Sequence, residues 1–108
     1  MSVQHLSQIP AKEYMPGFWG RMIHTKHATL AYWEIAGDSV LPLHSHPHEQ
    51  TVNMLEGEFE ITVEGHTRVL RAGDILIIPS NAPHQGRATG KPCKILDVFC
   101  PVREDYLT

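Results

Sequence analysis

The chain has 108 residues, 42% of them hydrophobic, and a formal net charge of −3 at pH 7. This length supplies one hydrophobic core and excludes two independent domains. No basic run is present to bind a phosphate backbone, and no apolar stretch reaches the length of a membrane span or a signal peptide, so we expect neither nucleic acid nor membrane as a partner. Cys93 and Cys100 lie seven residues apart in one predicted strand, which opposes a bridge between them and favours a cytoplasmic location.

Residues 1–20 contain Pro10 and Pro16 and show little periodicity. They are predicted to form an N-terminal arm that ends at an exposed aromatic pair, Phe18 and Trp19. Such a pair in an arm often caps a core or a partner subunit. We therefore expect residues 21–108 to form the main domain and the chain to associate as a homodimer.

Short strands are predicted along the rest of the chain. They are separated by turns rich in Gly, Pro, Asn and Asp, and no helical period persists beyond a turn or two. This pattern is typical of an antiparallel sandwich or barrel. The strand at 75–78 is apolar on both faces and is predicted to be central. The nine predicted strands are 21–27, 29–35, 40–46, 50–55, 58–64, 67–70, 75–78, 84–88 and 93–100.

A histidine-rich segment follows the third predicted strand. His44, His46 and His48 lie close together before Gln50, and His84 follows later. Neutral imidazole is the commonest protein ligand for a divalent metal, and a side-chain carbonyl oxygen can complete the set. His44 and His46 leave the same face of an extended strand. The alternative is a histidine-rich surface loop without a function.

The spacing of these residues resembles the two motifs of the cupin superfamily. In the first motif, G-x5-H-x-H-x3,4-E-x6-G, one extra residue follows the first glycine and glutamine replaces the usual glutamate. In the second, G-x5-P-x-G-x2-H-x3-N, asparagine replaces the second glycine and Ala88 replaces the final asparagine. The matching residues are Gly37, His44, His46, Gln50 and Gly57 in the first motif, and Gly73, Pro79, Asn81 and His84 in the second.

This resemblance implies an all-β fold, an antiparallel double-stranded β-helix or jelly-roll barrel. It also implies one divalent transition metal, held by His44, His46, Gln50 and His84. These ligand types do not distinguish nickel, zinc, copper, iron or manganese. Because no carboxylate compensates the ion, a Lewis acid is favoured over a redox centre, and an anionic, oxygen-rich substrate is expected.

The segment 44–50 together with residues 97–106 resembles the KdgF-type proteins, short cupins of pectin and alginate breakdown. The resemblance implies an enzyme that opens the ring of 4,5-unsaturated monouronates to linear 5-keto-4-deoxyuronates. It also implies that Asp97, Phe99 and Arg103 serve this small sugar-acid substrate.

Asp97 is the candidate for proton transfer. It lies between apolar neighbours, where burial raises the pKa of a carboxyl group. The alternative is an outward-facing Asp97 on an edge strand. Phe99 has the same phase on the strand, although a core role is the alternative for it. Arg103 is expected to bind the substrate carboxylate through its planar fork, or else to pair with Glu104 or Asp105.

Other functions remain open from the sequence. A cupin dioxygenase or another metal-dependent oxidoreductase has the same ligand types, and a non-catalytic sugar-acid-binding cupin needs no proton-transferring group. A buried Asp97 favours an enzyme over a binding module. Oxygen-dependent turnover with bound iron is the mark of the oxidoreductase.

Overall fold

Ten strands form the protein, and the structure, a computed structural model, describes residues 1–107. Thr108, the last residue of the predicted main domain, lies outside the described residues. Two three-residue 3-10 turns, Leu6–Gln8 and Glu104–Tyr106, are the only helical elements within residues 1–107. The strands are β1 (Lys12–Met15), β2 (Phe18–His24), β3 (Thr29–Ile35), β4 (Val40–His44), β5 (Glu49–Glu56), β6 (Glu58–Val63), β7 (His66–Arg71), β8 (Ile75–Ile78), β9 (His84–Ala88) and β10 (Cys93–Cys100).

The strands are arranged in two sheets in which every pairing is antiparallel. One sheet has six strands in the order β1-β2-β3-β10-β5-β8, and the other has four in the order β4-β9-β6-β7. This architecture confirms the predicted all-β jelly-roll fold. No helix within residues 1–107 is long and apolar enough to span a membrane.

The core lies between the two sheets and follows the alternation of the strands. On β3 the side chains of Ala31, Trp33 and Ile35 are buried, while Glu34 between them is exposed. Phe59 faces them from the other sheet, and burying such a side chain contributes about 1.5–3 kcal/mol. The buried strand faces thus hold the sheets together and set the direction in which every site residue points.

The segment predicted to be an arm takes part in the large sheet. Residues 12–15 form β1, and a turn at Pro16 and Gly17 joins them to β2 in a hairpin. Gly17 has φ +83°, a conformation that suits glycine and closes this turn. Phe18 is buried rather than exposed, at 4% exposure, and only Trp19 lies outside, at 45%. The Pro and Gly that looked irregular in the sequence therefore belong to a hairpin.

The position of β8 differs from the prediction. It pairs only with β5 and is an edge strand rather than a central one. Ile75 and Ile77 on its outer face are 68% and 61% exposed. An apolar run gives strand length and side-chain type, but it does not give the number of neighbouring strands.

Candidate metal centre

Three strand ends bring the four predicted metal ligands together at one end of the barrel. His44 ends β4 and is the register partner of His84, which begins β9 in the same sheet. His46 lies in the link to β5, and Gln50 is the second residue of β5. The turn before β9 is closed by Asn81, which has the left-handed φ of +65° and occupies the position of the motif glycine.

Each imidazole is oriented by a backbone carbonyl two residues away. Nδ1 lies 2.8 Å from the Pro42 oxygen for His44, 3.1 Å from the His48 oxygen for His46, and 2.9 Å from the Ala82 oxygen for His84. A carbonyl oxygen only accepts hydrogen bonds, so each Nδ1 carries the proton and donates it. The three Nε2 atoms are therefore left with free lone pairs, which is the form that binds a metal.

These nitrogen atoms converge on a common point. One ring nitrogen from each of His44, His46 and His84 lies within 4.8 Å of the others. His84 is buried, and its Nε2 has no hydrogen-bond partner in the described part of the chain. An unpartnered buried acceptor is unfavourable unless a ligand occupies its lone pair.

The contact between His46 and Gln50 also indicates a bound cation. Nε2 of His46 lies 3.1 Å from Oε1 of Gln50. With the imidazole proton on Nδ1, both atoms are acceptors, and their proximity is favourable only with a cation between them. The donor set thus fits a divalent transition metal held by three imidazoles and one amide oxygen.

The electrostatics keep the imidazoles in the binding form. Burial, followed by the charge of Arg103, lowers the pKa of His46 to about 4. Burial also lowers the pKa of His84. Both rings are consequently neutral at neutral pH, and no proton has to be displaced before a metal binds.

Asp97 lies on the inner face of β10, beside this site. Its Oδ2 accepts a hydrogen bond from Nε1 of Trp33 at 3.0 Å, while Oδ1 has no partner among residues 1–107. Burial raises the pKa of the Asp97 carboxyl to about 7, although the Gln50 and Trp33 side chains and the Arg103 charge oppose the shift. The group therefore exists in both protonation states near neutral pH, which suits proton transfer. The alternative of an outward-facing Asp97 is wrong.

Arg103 follows β10 and folds back over the same cavity. Its Nε and Nη2 donate to Asp105 at 2.9 and 2.7 Å, so the pairing with Asp105 is the alternative that the structure adopts. The guanidinium lies over the rings of Phe99 and Tyr106, 4.7 and 4.3 Å from their centroids. Its other edge, formed by Nη1 and the second proton of Nη2, makes no hydrogen bond with the described residues and remains available to an anion.

One cavity collects these groups. The volume of this cavity is about 60 Å³. Six of the seven site residues predicted from the sequence line it: His44, Gln50, His84, Asp97, Phe99 and Arg103. The ring of His46 is not among the lining residues and lies next to Phe99, with the two ring centroids 5.6 Å apart.

Two residues of the site, Trp33 and Tyr106, were missed in the sequence. Trp33 donates a hydrogen bond to Asp97, and Tyr106 stacks on Arg103. The inward phase of β3 is a signal for Trp33, because alternate residues of that strand face the core. Asp105 and Tyr106 lie in an irregular segment, and no periodicity predicts where such side chains point.

Comparison with known proteins agrees with this geometry. A family model described as a cupin domain matches residues 31–99. The pectin degradation protein KdgF of Dickeya dadantii is 32% identical over 65 residues, which cover 59% of each chain. The dimethylsulfoniopropionate lyase DddQ of Ruegeria pomeroyi is 42% identical over 52 residues, 47% of this chain and 26% of that protein. The matched segments thus span less than two thirds of both curated relatives.

Solved structures extend the similarity to nearly the whole fold. KdgF from Halomonas sp. superposes with a TM-score of 0.92 at 26% identity and covers 99% of both chains. An RmlC-like cupin from Shewanella frigidimarina gives 0.90 at 25% identity, covering 96% of this chain and 94% of that one. Since the cupin-domain model matches more than half of the 108 residues, the chain belongs to the cupin family and resembles KdgF within it.

Proposed function

We propose that this protein is a metal-dependent enzyme that opens the ring of 4,5-unsaturated monouronates to linear 5-keto-4-deoxyuronates. The observation that carries the proposal is the buried Asp97, which lines one cavity with the Arg103 guanidinium and two of the three clustered imidazoles, those of His44 and His84. A metal-binding module without catalysis gains nothing from a buried carboxyl group whose pKa lies near 7. The similarity to two KdgF proteins supports the choice of substrate.

The reaction is an isomerisation and needs no co-reactant. The anomeric hydroxyl of the substrate loses its proton, and the bond from the anomeric carbon to the ring oxygen breaks. An aldehyde and an enolate result, and the enolate becomes a ketone when the formerly unsaturated carbon is protonated. Asp97 takes the first proton and returns one in the second step, as a carboxyl group with a pKa of about 7 can do.

Arg103 and the aromatic side chains prepare the substrate. One edge of the guanidinium is held by Asp105, and its free edge donates hydrogen bonds to the substrate carboxylate. Phe99 and Tyr106 fix the plane of the guanidinium by stacking, and with Trp33 they line an apolar wall that limits water around Asp97. His44, His46, Gln50 and His84 would hold the divalent ion, which supplies positive charge for the oxygen that becomes negative.

The proposal is tested by incubating the metal-loaded protein with unsaturated galacturonate. We expect the near-ultraviolet absorbance of the conjugated acid to fall and a stoichiometric amount of keto acid to appear. His84→Ala should abolish both changes, whereas His66→Ala, a matched control at an exposed position on β7, should behave as wild type. Absence of turnover with a full equivalent of nickel, zinc, iron or manganese would contradict the proposal.

The same experiment separates the alternatives. Consumption of oxygen in step with loss of the substrate would identify an oxidoreductase. Saturable binding of the sugar acid, measured by calorimetry, without any product would identify a binding module. Cleavage of dimethylsulfoniopropionate, the substrate named for the DddQ relative, would instead identify a lyase.

A further inference from the structure

The segment that follows β10 carries two side chains of the candidate site, although it belongs to neither sheet. Arg103 precedes the 3-10 turn Glu104–Tyr106, Tyr106 ends it, and both side chains line the cavity. The turn itself contains no buried residue. A short irregular segment with little buried surface opens easily unless other elements hold it. The position of the guanidinium therefore depends on what binds this segment to the barrel.

Two side chains of the β2–β3 hairpin bind it. His24 ends β2 and is the register partner of Thr29, which begins β3. The Thr29 hydroxyl accepts a hydrogen bond from the backbone N–H of Arg103 at 2.9 Å. Nε2 of His24 lies 3.2 Å from the Tyr106 carbonyl oxygen, and Nδ1 lies 2.8 Å from the Thr29 hydroxyl. Both ends of the turn are thus bound to one pair of side chains, which we call the clasp.

The direction of each hydrogen bond follows from the groups involved. The Tyr106 carbonyl only accepts, so Nε2 of His24 carries a proton and donates it. In the neutral ring Nδ1 is then an acceptor, to which the Thr29 hydroxyl donates while its oxygen accepts from Arg103. Within the turn, the Tyr106 N–H donates to the Arg103 oxygen at 3.0 Å. The hydrogen bonds form a closed ring in which each donor has an acceptor, an arrangement that strengthens every member.

The burial of Thr29 indicates that its hydroxyl serves this segment. Thr29 is fully buried, at 0% exposure, and a buried hydroxyl is unfavourable unless it is hydrogen-bonded. The strand position itself does not require a hydroxyl, because valine has nearly the same shape and suits a buried strand equally well. The polar partners of Thr29 are His24 and the Arg103 N–H. The threonine is therefore explained by the turn that it holds.

We propose that His24 and Thr29 are positioning residues, which keep the turn over the cavity so that the free edge of the Arg103 guanidinium meets the substrate carboxylate. Neither residue is among those that line the cavity, so both act through the turn. Stacking on Tyr106 at 4.3 Å sets the plane of the guanidinium, and the clasp sets the place of both stacked residues. The proposal rests on the ring-opening function, because it concerns the same Arg103.

Steady-state kinetics of the metal-loaded protein on the unsaturated uronate tests the proposal. Thr29→Val keeps the shape of the side chain and removes the hydroxyl, so KM should rise about tenfold. The value of kcat should change by less than about threefold, since Asp97 is held separately by Trp33. Thr29→Ser keeps the hydroxyl and should recover most of the loss. Thr67→Val is the matched control, because it also removes a hydrogen bond between hydroxyls, the one to Thr62 at 2.7 Å, but in the other sheet.

Amide hydrogen exchange of residues 102–107 provides a readout that needs no substrate. Circular dichroism first confirms that each variant is folded. Exchange should be at least about tenfold faster in Thr29→Val than in wild type, and unchanged in Thr67→Val. His24→Phe keeps an aromatic ring and removes both nitrogen atoms, so it should raise both the exchange rate and KM and replaces Thr29→Val if that variant does not fold.

A wild-type KM or a wild-type exchange rate in these variants would overturn the proposal. Equal KM values for Thr29→Val and Thr29→Ser would assign the effect to packing and would also overturn it. If wild type does not turn over the uronate, the ring-opening function fails by itself. The clasp is then decided by exchange and by calorimetric binding of D-galacturonate, a saturated uronate, whose Kd Thr29→Val should raise about tenfold. Absence of binding, or an unchanged Kd, would overturn the proposal.

Discussion

At the scale of single residues, Asp97 separates an enzyme from a binding protein. Asp97→Asn is nearly isosteric, and its amide oxygen can still accept the hydrogen bond from Trp33. We expect turnover to fall by about 10²- to 10⁴-fold with little change in KM, because a positioned acid or base acts in the transition state. Steady-state kinetics on the unsaturated uronate, with metal content measured on the same sample, provides the test.

Asp38→Asn, in the turn before β4, is a suitable control for that experiment and should leave turnover unchanged. Activity of Asp97→Asn within a few-fold of wild type would remove Asp97 from the proton transfers. The carboxyl group would then be a structural partner of Trp33.

Asp105 is expected to act through Arg103. Asp105→Asn removes the negative charge and leaves one amide oxygen, which can accept only one of the two bonds of 2.9 and 2.7 Å that hold one edge of the guanidinium. Arg103 can then turn away from the substrate, so KM should rise about tenfold while kcat changes less. Asp105→Glu should restore part of the loss, and Glu104→Gln, the neighbouring exposed residue, should have no effect. Equal KM values for wild type and Asp105→Asn would rule out this positioning role.

The residues that the sequence identified are those with a fixed spacing. His44, His46 and His84 carry a motif, and the alternation of β10 places Asp97 and Phe99 on one face. For Arg103 the sequence did not decide between Glu104 and Asp105 as partner. Arg103 lies beyond the last strand, where no alternation of side chains predicts the direction in which it points. The choice of Asp105 depends on the 3-10 turn Glu104–Tyr106, which returns the carboxylate to the guanidinium.

At the scale of elements, the metal should join the two sheets. His44 and His84 come from β4 and β9 of the smaller sheet, and Gln50 comes from β5 of the larger one. A ligand that binds only the folded state stabilises it by about 2.7 kcal/mol at a hundred times its Kd. For a domain of this size the melting temperature should then rise by about 10 to 20 °C, since each 1 kcal/mol shifts it by about 4 to 8 °C.

Differential scanning fluorimetry with and without a divalent ion measures this rise. His84→Ala should lose most of the metal-dependent shift, whereas His66→Ala should keep it. An equal shift in both variants would place the ion elsewhere.

Most strands were predictable because each has a clear alternation between turn residues. The predicted limits of β3, β8, β9 and β10 match the structure, while β1 was missed and the start of β2 was predicted three residues late. β1 has only four residues, and two of them are exposed, which is too short a pattern to indicate a strand. The neighbours of β8 could not be predicted, because strand order is decided by tertiary packing.

At the scale of the whole molecule, the pH dependence of the stability of the metal-free protein should combine two opposite effects, one from the imidazoles of His46 and His84 and one from the carboxyl group of Asp97. His46 and His84 have lowered pKa values in the folded chain. Below about pH 6.5 these two imidazoles therefore bind protons in the unfolded chain but not in the folded chain, and the fold loses stability as the pH falls. Asp97 has a pKa raised to about 7, so the folded chain binds a proton that the unfolded one does not, and its effect stabilises the fold as pH falls from about 7 to about 4. The two effects partly cancel in wild type.

Asp97→Asn removes the titrating carboxyl group and leaves only the effect of the two imidazoles. We expect its free energy of unfolding to fall more steeply than that of wild type between about pH 7 and pH 5, and its stability to exceed that of wild type above about pH 8. Urea unfolding of both metal-free proteins at several pH values measures the difference. Parallel pH profiles would show that the folded Asp97 carboxyl titrates as it does in the unfolded chain.

The amide at position 50 has a consequence for the choice of residue there. Its oxygen faces Nε2 of His46, and its side chain, which lines the same cavity as Asp97, opposes the rise in the pKa of that carboxyl group. A glutamate, the usual residue of the cupin motif, offers no proton to that neighbour and would set two negative groups side by side in a buried place. The glutamine amide has an oxygen that can bind a cation and an NH2 group that can donate to a carboxylate. The glutamine at position 50 and the acid at position 97 are therefore coupled, and Gln50→Glu is not a conservative substitution while Asp97 is present.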